Sequence, residues 1–226
     1  MSPTACELAR RYNDNPEKLM AAYTPNLQEL MTRDASLVFL GSAPQLGVVV
    51  GAFGRGVAAS WLKLQLLDLS EFAGQRDKLS RRQMDETTAL IMAEYGSYKL
   101  TELMLFFRRF KLGRYGKFYG AVDPLVILSA LAEFAGEREN ALRLYAEERS
   151  QAERQRQLDE AEALGKRYAQ RVPPESRHLL DFQQYRLMGY DTMSDAALVA
   201  ELGALADGSK TIPKDIRDII AYLNVQ

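Results

Sequence analysis

A chain of 226 residues with 47% hydrophobic and 26% charged side chains has the composition of a globular protein and excludes a disordered one. Its net charge of −1 gives no overall pull on nucleic acid, so any such binding must come from a local patch. A single cysteine, Cys6, excludes an internal disulfide and a cysteine metal cage, and with no secretory or lipidation pattern at the start it sets a cytoplasmic location as the expectation.

Leu8 and Tyr12, four apart, predict a short helix over residues 3–13, broken by the Asn-Asp-Asn-Pro run that follows. Another helical turn is expected over residues 17–23, ahead of Pro25, and Leu27, Leu30 and Met31 mark a further helical face. The apolar run from Leu46 to Leu69 is interrupted by four glycines, Arg55, Lys63 and Gln65, which makes it too polar for a membrane span. Within it, Gly51, Gly54 and Gly56 follow an apolar stretch as in a strand, a phosphate-cradling turn and a helix, the pattern a nucleotide-binding enzyme would use. The spacing is Gly-x-x-Gly-x-Gly rather than Gly-x-Gly-x-x-Gly, and the leucine-rich residues 61–69 beyond it are helical in character. Glycines that let a neighbouring helix pack closely are the preferred reading.

Ser80 with Gln83 predicts a capping box, and Leu79 with Met84 the hydrophobic staple around it; Leu90, Ile91 and Tyr95 continue an apolar face up to Gly96. A second helix is expected over residues 100–112, with Leu103, Met104, Phe107 and Phe110 on one side and Gly113 just past its end. Asp123, Pro124 and a Val122–Ile127 staple start the next helix, whose buried face carries Ile127, Leu128, Leu131 and Phe134. From residue 137 to 171 charges of both signs alternate, which predicts a long solvated helix laced by pairs such as Glu139–Arg143 and Glu162–Lys166 and stopped by Pro173 and Pro174. Shorter helical segments follow over residues 179–188, 197–205 and 213–223. No alternating strand pattern is sustained anywhere, so the fold class is all-α: a multi-helix globular bundle with one long charged helix. The expected divisions are a helical core domain (1–140), the charged helix (141–172) and a C-terminal helical segment (173–226).

Catalytic chemistry is sparse. His178 is the only histidine and follows Arg177 at a helix start, Cys6 has no activating neighbour in sequence, and no phosphate-loop lysine motif exists. The expectation is a protein that is not an enzyme and carries no metal or cofactor. What stands out is residues 106–124 and the charge around them: between residues 99 and 120, Lys99, Arg108, Arg109, Lys111, Arg114 and Lys117 are offset only by Glu102. Arg108, Arg109, Lys111, Arg114, Tyr115, Lys117, Phe118 and Tyr119 are the candidate binding residues, with most weight on Lys111, Arg114 and Lys117. Three readings compete. Basic residues at a helix end complement its dipole while the aromatics anchor a tight loop. Exposed Tyr, Phe and Arg make protein hot spots. Glycines, bases and aromatics together suit a phosphate chain with unpaired bases, and Gly113 to Gly116 even has the Gly-x-x-Gly form of a KH-domain loop, without that fold's flanking strands.

The order Leu79, Ser80, Gln83, Glu86, Ile91, Glu94, Tyr95, residues 99–103, Phe106, Phe107, Phe110, Lys111, Gly113, Tyr115, Gly116, Phe118, Tyr119, Gly120, Asp123 and Pro124 resembles a family of uncharacterised helical proteins from Bacteroidota phages and mobile elements. The resemblance covers about residues 45–140 and implies a helical fold and a mobile-element setting; it implies no activity. In layout alone, the helix–loop–helix is similar to the small helical domains of phage helicase loaders and inhibitors. The expected function is a non-enzymatic adaptor of phage or mobile-element DNA replication that binds a protein partner, such as a replicative helicase, through residues 108–120. Direct binding of single-stranded nucleic acid is the alternative, DNA or RNA being left open, and a nucleotide-binding enzyme using residues 51–56 the third.

Overall fold

The computed structural model describes residues 2–224, and among them the regular elements are helices, with three isolated bridge pairs and no strand. The all-α expectation holds. The chain forms two compact units, one ending at Tyr145 and the other starting at Ala146.

The first unit holds α1 (Pro3–Arg11), α2 (Pro16–Ala22), a 3₁₀ turn (Pro25–Leu27) leading into α3 (Gln28–Met31), α4 (Ala35–Leu40), α5 (Leu46–Phe53), α6 (Arg55–Phe72), α7 (Arg81–Glu94), α8 (Leu100–Lys111) and the first part of α9 (Pro124–Arg171). Its starts are chemically marked. Ser2, Asn15, Asp34 and Ser80 each accept a hydrogen bond from a backbone N–H of the first turn they precede, which stabilises each helix by about 1 kcal/mol. Gln83 completes the box at Ser80 by accepting from its N–H at 2.9 Å. The N-termini of α5 and α8 lie together and share partners. Leu46 N–H donates to Tyr98 O, Gly47 N–H to Gly96 O, and Leu100 N–H to Pro44 O, satisfying donors that a helix start leaves open.

Gly47, Gly51 and Gly56 sit in helices and Gly54 joins two of them, so no strand and phosphate turn forms here. A Cβ on Gly51 would stand 3.3 Å from the Ala5 Cβ of α1, and one on Gly47 would stand 3.1 Å from Gly96 O. Of the three motif glycines only Gly51 serves close helix approach, Gly56 faces open space and Gly54 (φ +87°) makes the break between α5 and α6, while Gly47 packs on the turn after α7.

α8 is the centre of this unit. Every residue from 100 to 107 is buried, a helix apolar nearly all round because α3, α4 and α6 pack against it and Phe134 of α9 meets Phe106. The one-sided face expected for it is thus too narrow. Its single buried charge, Glu102, is fully enclosed; it accepts from Lys99 N–H at 2.8 Å and from Arg138 Nε at 3.0 Å, while Arg138 lies over the Tyr98 ring. Elsewhere the expected apolar faces lose members. Leu30 and Leu90 are exposed, since α3 buries Gln28 and α7 buries Thr87 and Thr88 in the core-facing rows instead.

The second unit contains the remainder of α9, a 3₁₀ turn (Pro174–Ser176), α10 (Phe182–Leu187), a second 3₁₀ turn (Tyr190–Thr192), α11 (Asp195–Ala206) and α12 (Lys214–Leu223). Residues 146–163 of α9 are exposed without exception, as a solvated helix requires, and Glu162–Lys166 pairs at 2.6 Å. A small core then gathers Tyr168, Val172, Leu180, Tyr185, Tyr190, Leu198, Leu202 and Ile212. Arg171 braces it, with bonds to Asp195, the Tyr185 hydroxyl and the carbonyls of Tyr190, Asp191 and Met193. No helix among the described residues is long and apolar enough to cross a membrane.

Candidate functional site

The stretch that stands out in sequence is the end of α8 and the loop joining it to α9. α8 stops in a Schellman turn: Gly113 N–H reaches Phe110 O at 2.8 Å and Arg114 N–H reaches Arg109 O at 3.1 Å, with Gly113 at φ +79°. The loop is then tied to residues 75–77, because Gly120 N–H donates to Gln75 Oε1, Val122 N–H to Asp77 O, and Asp77 N–H to Gly120 O. Asp123 closes it by accepting from Leu125 N–H at 2.8 Å at the start of α9.

Two of the three aromatics of the loop are spent on the fold. Tyr115 is buried, stacks on Phe106 with ring centres 5.6 Å apart, and donates from its hydroxyl to Glu137 at 3.3 Å. Burial, reinforced by the Glu137 carboxylate, pushes its hydroxyl pKa up to about 12. Phe118 stacks on Phe110 at 5.1 Å and 19°. Only Tyr119 projects, at 89% exposure.

The basic residues divide the same way. Arg109 donates to Glu137 at 2.5 Å and lies over the Phe134 ring, and Arg114 meets the other oxygen of Glu137 at 3.1 Å. Lys111 pairs with Asp68 and covers one face of Phe72. Arg108 has a hydrogen bond to Thr32 Oγ1 at 3.3 Å and no ion pair among the described residues. Lys117 is exposed and has neither. The charge excess read from the sequence is therefore partly consumed: three of the five bases meet two carboxylates, and the surplus sits on Arg108 and Lys117 with the half-exposed Arg114. Of the three most weighted residues, Lys111 is internally paired, Arg114 is shared with the fold, and Lys117 is free.

Three depressions surround this loop. The first, about 370 Å³, is walled by Leu69, Phe72, Phe110, Leu112 and Phe118, with Lys111 and Lys117 on its lining. The second, about 310 Å³, is lined by Thr32, Arg33, Ala35, Leu105, Arg108, Arg109, Leu112 and Arg114, four arginines and no acid. The third, about 430 Å³, runs past Lys117, Phe118 and Tyr119 to Val126. Leu112, 73% exposed, stands between the first two, and Phe72 is 62% exposed beside the first.

Arg33, Phe72 and Leu112 were not signalled by sequence. Arg33 lies in the turn between α3 and α4 and Phe72 at the end of α6, so only the fold brings them to α8. His178 is exposed in the second unit, and Cys6 is half-buried within α1. Among the described residues no group of three or more His, Cys, Asp or Glu side chains is placed to hold a metal ion.

Residues 78–167 match the model of a family of unknown function (DUF6633), a span that contains α7, α8, the loop and most of α9. No curated protein and no solved structure matches the chain.

Proposed function

We propose that this chain is a non-enzymatic accessory protein of DNA replication on a phage or mobile element of the Bacteroidota, and that it docks a protein partner on the cleft beside residues 112–118. The mobile-element setting rests on the resemblance carried by residues 106–124. The docking reading rests on one observation: Phe72 and Leu112, two large apolar side chains more than half exposed, flank a 370 Å³ depression whose lining has two lysines and no acid. Exposed apolar surface of this kind marks a contact site, and a buried anchor side chain in a pocket carries most of the energy of such contacts. The complementary occupant is a protein segment with one large apolar residue beside Asp or Glu. A replicative helicase is one protein that could present it.

Base stacking is less well served. Tyr115 and Phe118 are engaged with Phe106 and Phe110, and Lys111 already covers a face of Phe72, which leaves Tyr119 as the one projecting ring of the loop. The test is selection of a random peptide display library against the full chain, followed by affinity measurement of the recovered peptides. The recovered peptides should share a large apolar residue near acids, and Phe72→Ala or Lys117→Glu should weaken them about tenfold, or about 1.4 kcal/mol, with the helical circular dichroism unchanged. Peptides that bind both variants as well as the wild type would remove the cleft from the account.

A further inference from the structure

The second depression has a composition that its structural role does not use up. Arg108 and Arg109 lie in the last turn of α8, where cations offset the helix dipole, but the carbonyls of Phe110 and Arg109 are already satisfied by the Schellman turn. Arg33 belongs to another element and has no hydrogen bond or ion pair among the described residues. Four arginines thus line one 310 Å³ pocket, and among their guanidinium groups Glu137 answers those of Arg109 and Arg114. Two of the four, Arg33 and Arg108, have no carboxylate.

The pocket is also partly preformed. Arg108 is half-buried and held by the buried Thr32, whose hydroxyl donates in turn to Gln28 O at 2.5 Å. Arg109 is fixed by Glu137 and by the Phe134 ring. Leu105 and Leu112 form apolar walls, which strengthen the field of the charges beside them. A guanidinium fork matches a carboxylate with two parallel hydrogen bonds, so two unpaired forks match two carboxylates.

We infer that the arginine pocket is the charge-reading half of the docking surface and takes a pair of carboxylates, Asp or Glu, from the same partner segment whose apolar residue enters the cleft across Leu112. This rests on the docking reading and sharpens it: the partner is an acidic segment with its acidic pair and its apolar anchor on either side of Leu112. Specificity then comes from charge at one end and affinity from burial at the other.

The experiment is a double-mutant cycle on a synthetic peptide recovered from the display selection. One arm exchanges the peptide's Asp and Glu for Asn and Gln; the other is the full chain carrying Arg33→Gln, with Arg33→Gln/Arg108→Gln as the stronger variant. Arg33 is exposed, so the single variant leaves the fold intact. Each arm alone should weaken binding about tenfold or more, and the two combined should weaken it hardly further, because both delete the same contact. If the losses simply multiply, the acids are read elsewhere and the inference fails while the cleft stands. If peptide binding ignores Phe72→Ala, the docking reading fails instead. A single-stranded oligonucleotide that binds the full chain, loses binding through Arg33→Gln and displaces the peptide would overturn the assignment to a protein segment.

Discussion

Glu137 holds Arg109 at 2.5 Å and, with its other oxygen, Arg114 at 3.1 Å, so one carboxylate of α9 fastens both ends of the turn that closes α8. It also accepts from the hydroxyl of Tyr115. Glu137→Ala strands two guanidinium groups, one of them mostly buried, and should cost about 2–3 kcal/mol in denaturant unfolding. The same change adds two unpaired positive charges to the arginine pocket, so affinity for an acidic peptide should rise as stability falls. That opposition of signs separates a charge-reading pocket from a purely structural one.

Glu102 makes a second, more enclosed pair with Arg138. Removing one partner of a buried pair leaves the other uncompensated, and Glu102→Ala should cost about 3–5 kcal/mol. Glu102→Gln keeps an oxygen able to accept from the Lys99 N–H and should cost less. Chemical denaturation of the two variants orders them.

Gly113 and Gly56 test a residue just past a helix end against one in the first turn of a helix. Both have open space where a Cβ would go, but only Gly113 has a left-handed φ, +79°. Gly113→Ala should destabilise by about 1 kcal/mol, while Gly56→Ala in α6 should stabilise by up to about 1 kcal/mol. Thermal unfolding of the pair should show shifts of opposite sign.

Tyr115 supplies a pH dependence. Its folded pKa of about 12 exceeds the ordinary tyrosine value of 10.0, because burial and Glu137 disfavour the phenolate. Between these values the unfolded chain has lost the proton and the folded chain keeps it, so the unfolded state binds fewer protons and stability falls as pH rises. The contribution is complete below about pH 10 and is lost through about pH 12. Tyr23, Tyr95, Tyr98, Tyr168 and Tyr190 are raised in the same direction by burial, so alkaline unfolding should be steep. Tyr115→Phe should make it measurably shallower in a pH series followed by circular dichroism.

Local chemistry made much of this fold legible in advance. The Ser80–Gln83 box, the Gly113 stop and the Asp123–Pro124 start each depend on neighbours in sequence, and each is found; the solvated helix expected over residues 137–171 is exposed throughout 146–163 but packs Arg138 and Tyr168 at its two ends. What periodicity could not supply was the surroundings of a helix. α8 is enclosed on all sides because three helices and Phe134 converge on it, and Leu90 is exposed because α7 turns threonines inward. The candidate surface was half legible for the same reason. A run of bases identifies Arg108 and Lys117, but the partners that neutralise Lys111 and Arg109, Asp68 and Glu137, lie 43 and 28 residues away. Arg33 and Phe72 join the surface only through folding.

On the proposed docking mode, the outer surface around Leu112 makes the contact and the inward-facing aromatics do not. The most direct measurement compares one display-selected peptide on the wild type, on Phe72→Ala/Lys117→Glu and on Tyr115→Phe, all confirmed folded. The first variant should lose at least tenfold in affinity, and roughly a hundredfold at most because both residues line one depression, while Tyr115→Phe should bind like the wild type. Binding that survives Phe72→Ala/Lys117→Glu and is lost in Tyr115→Phe would contradict this docking mode.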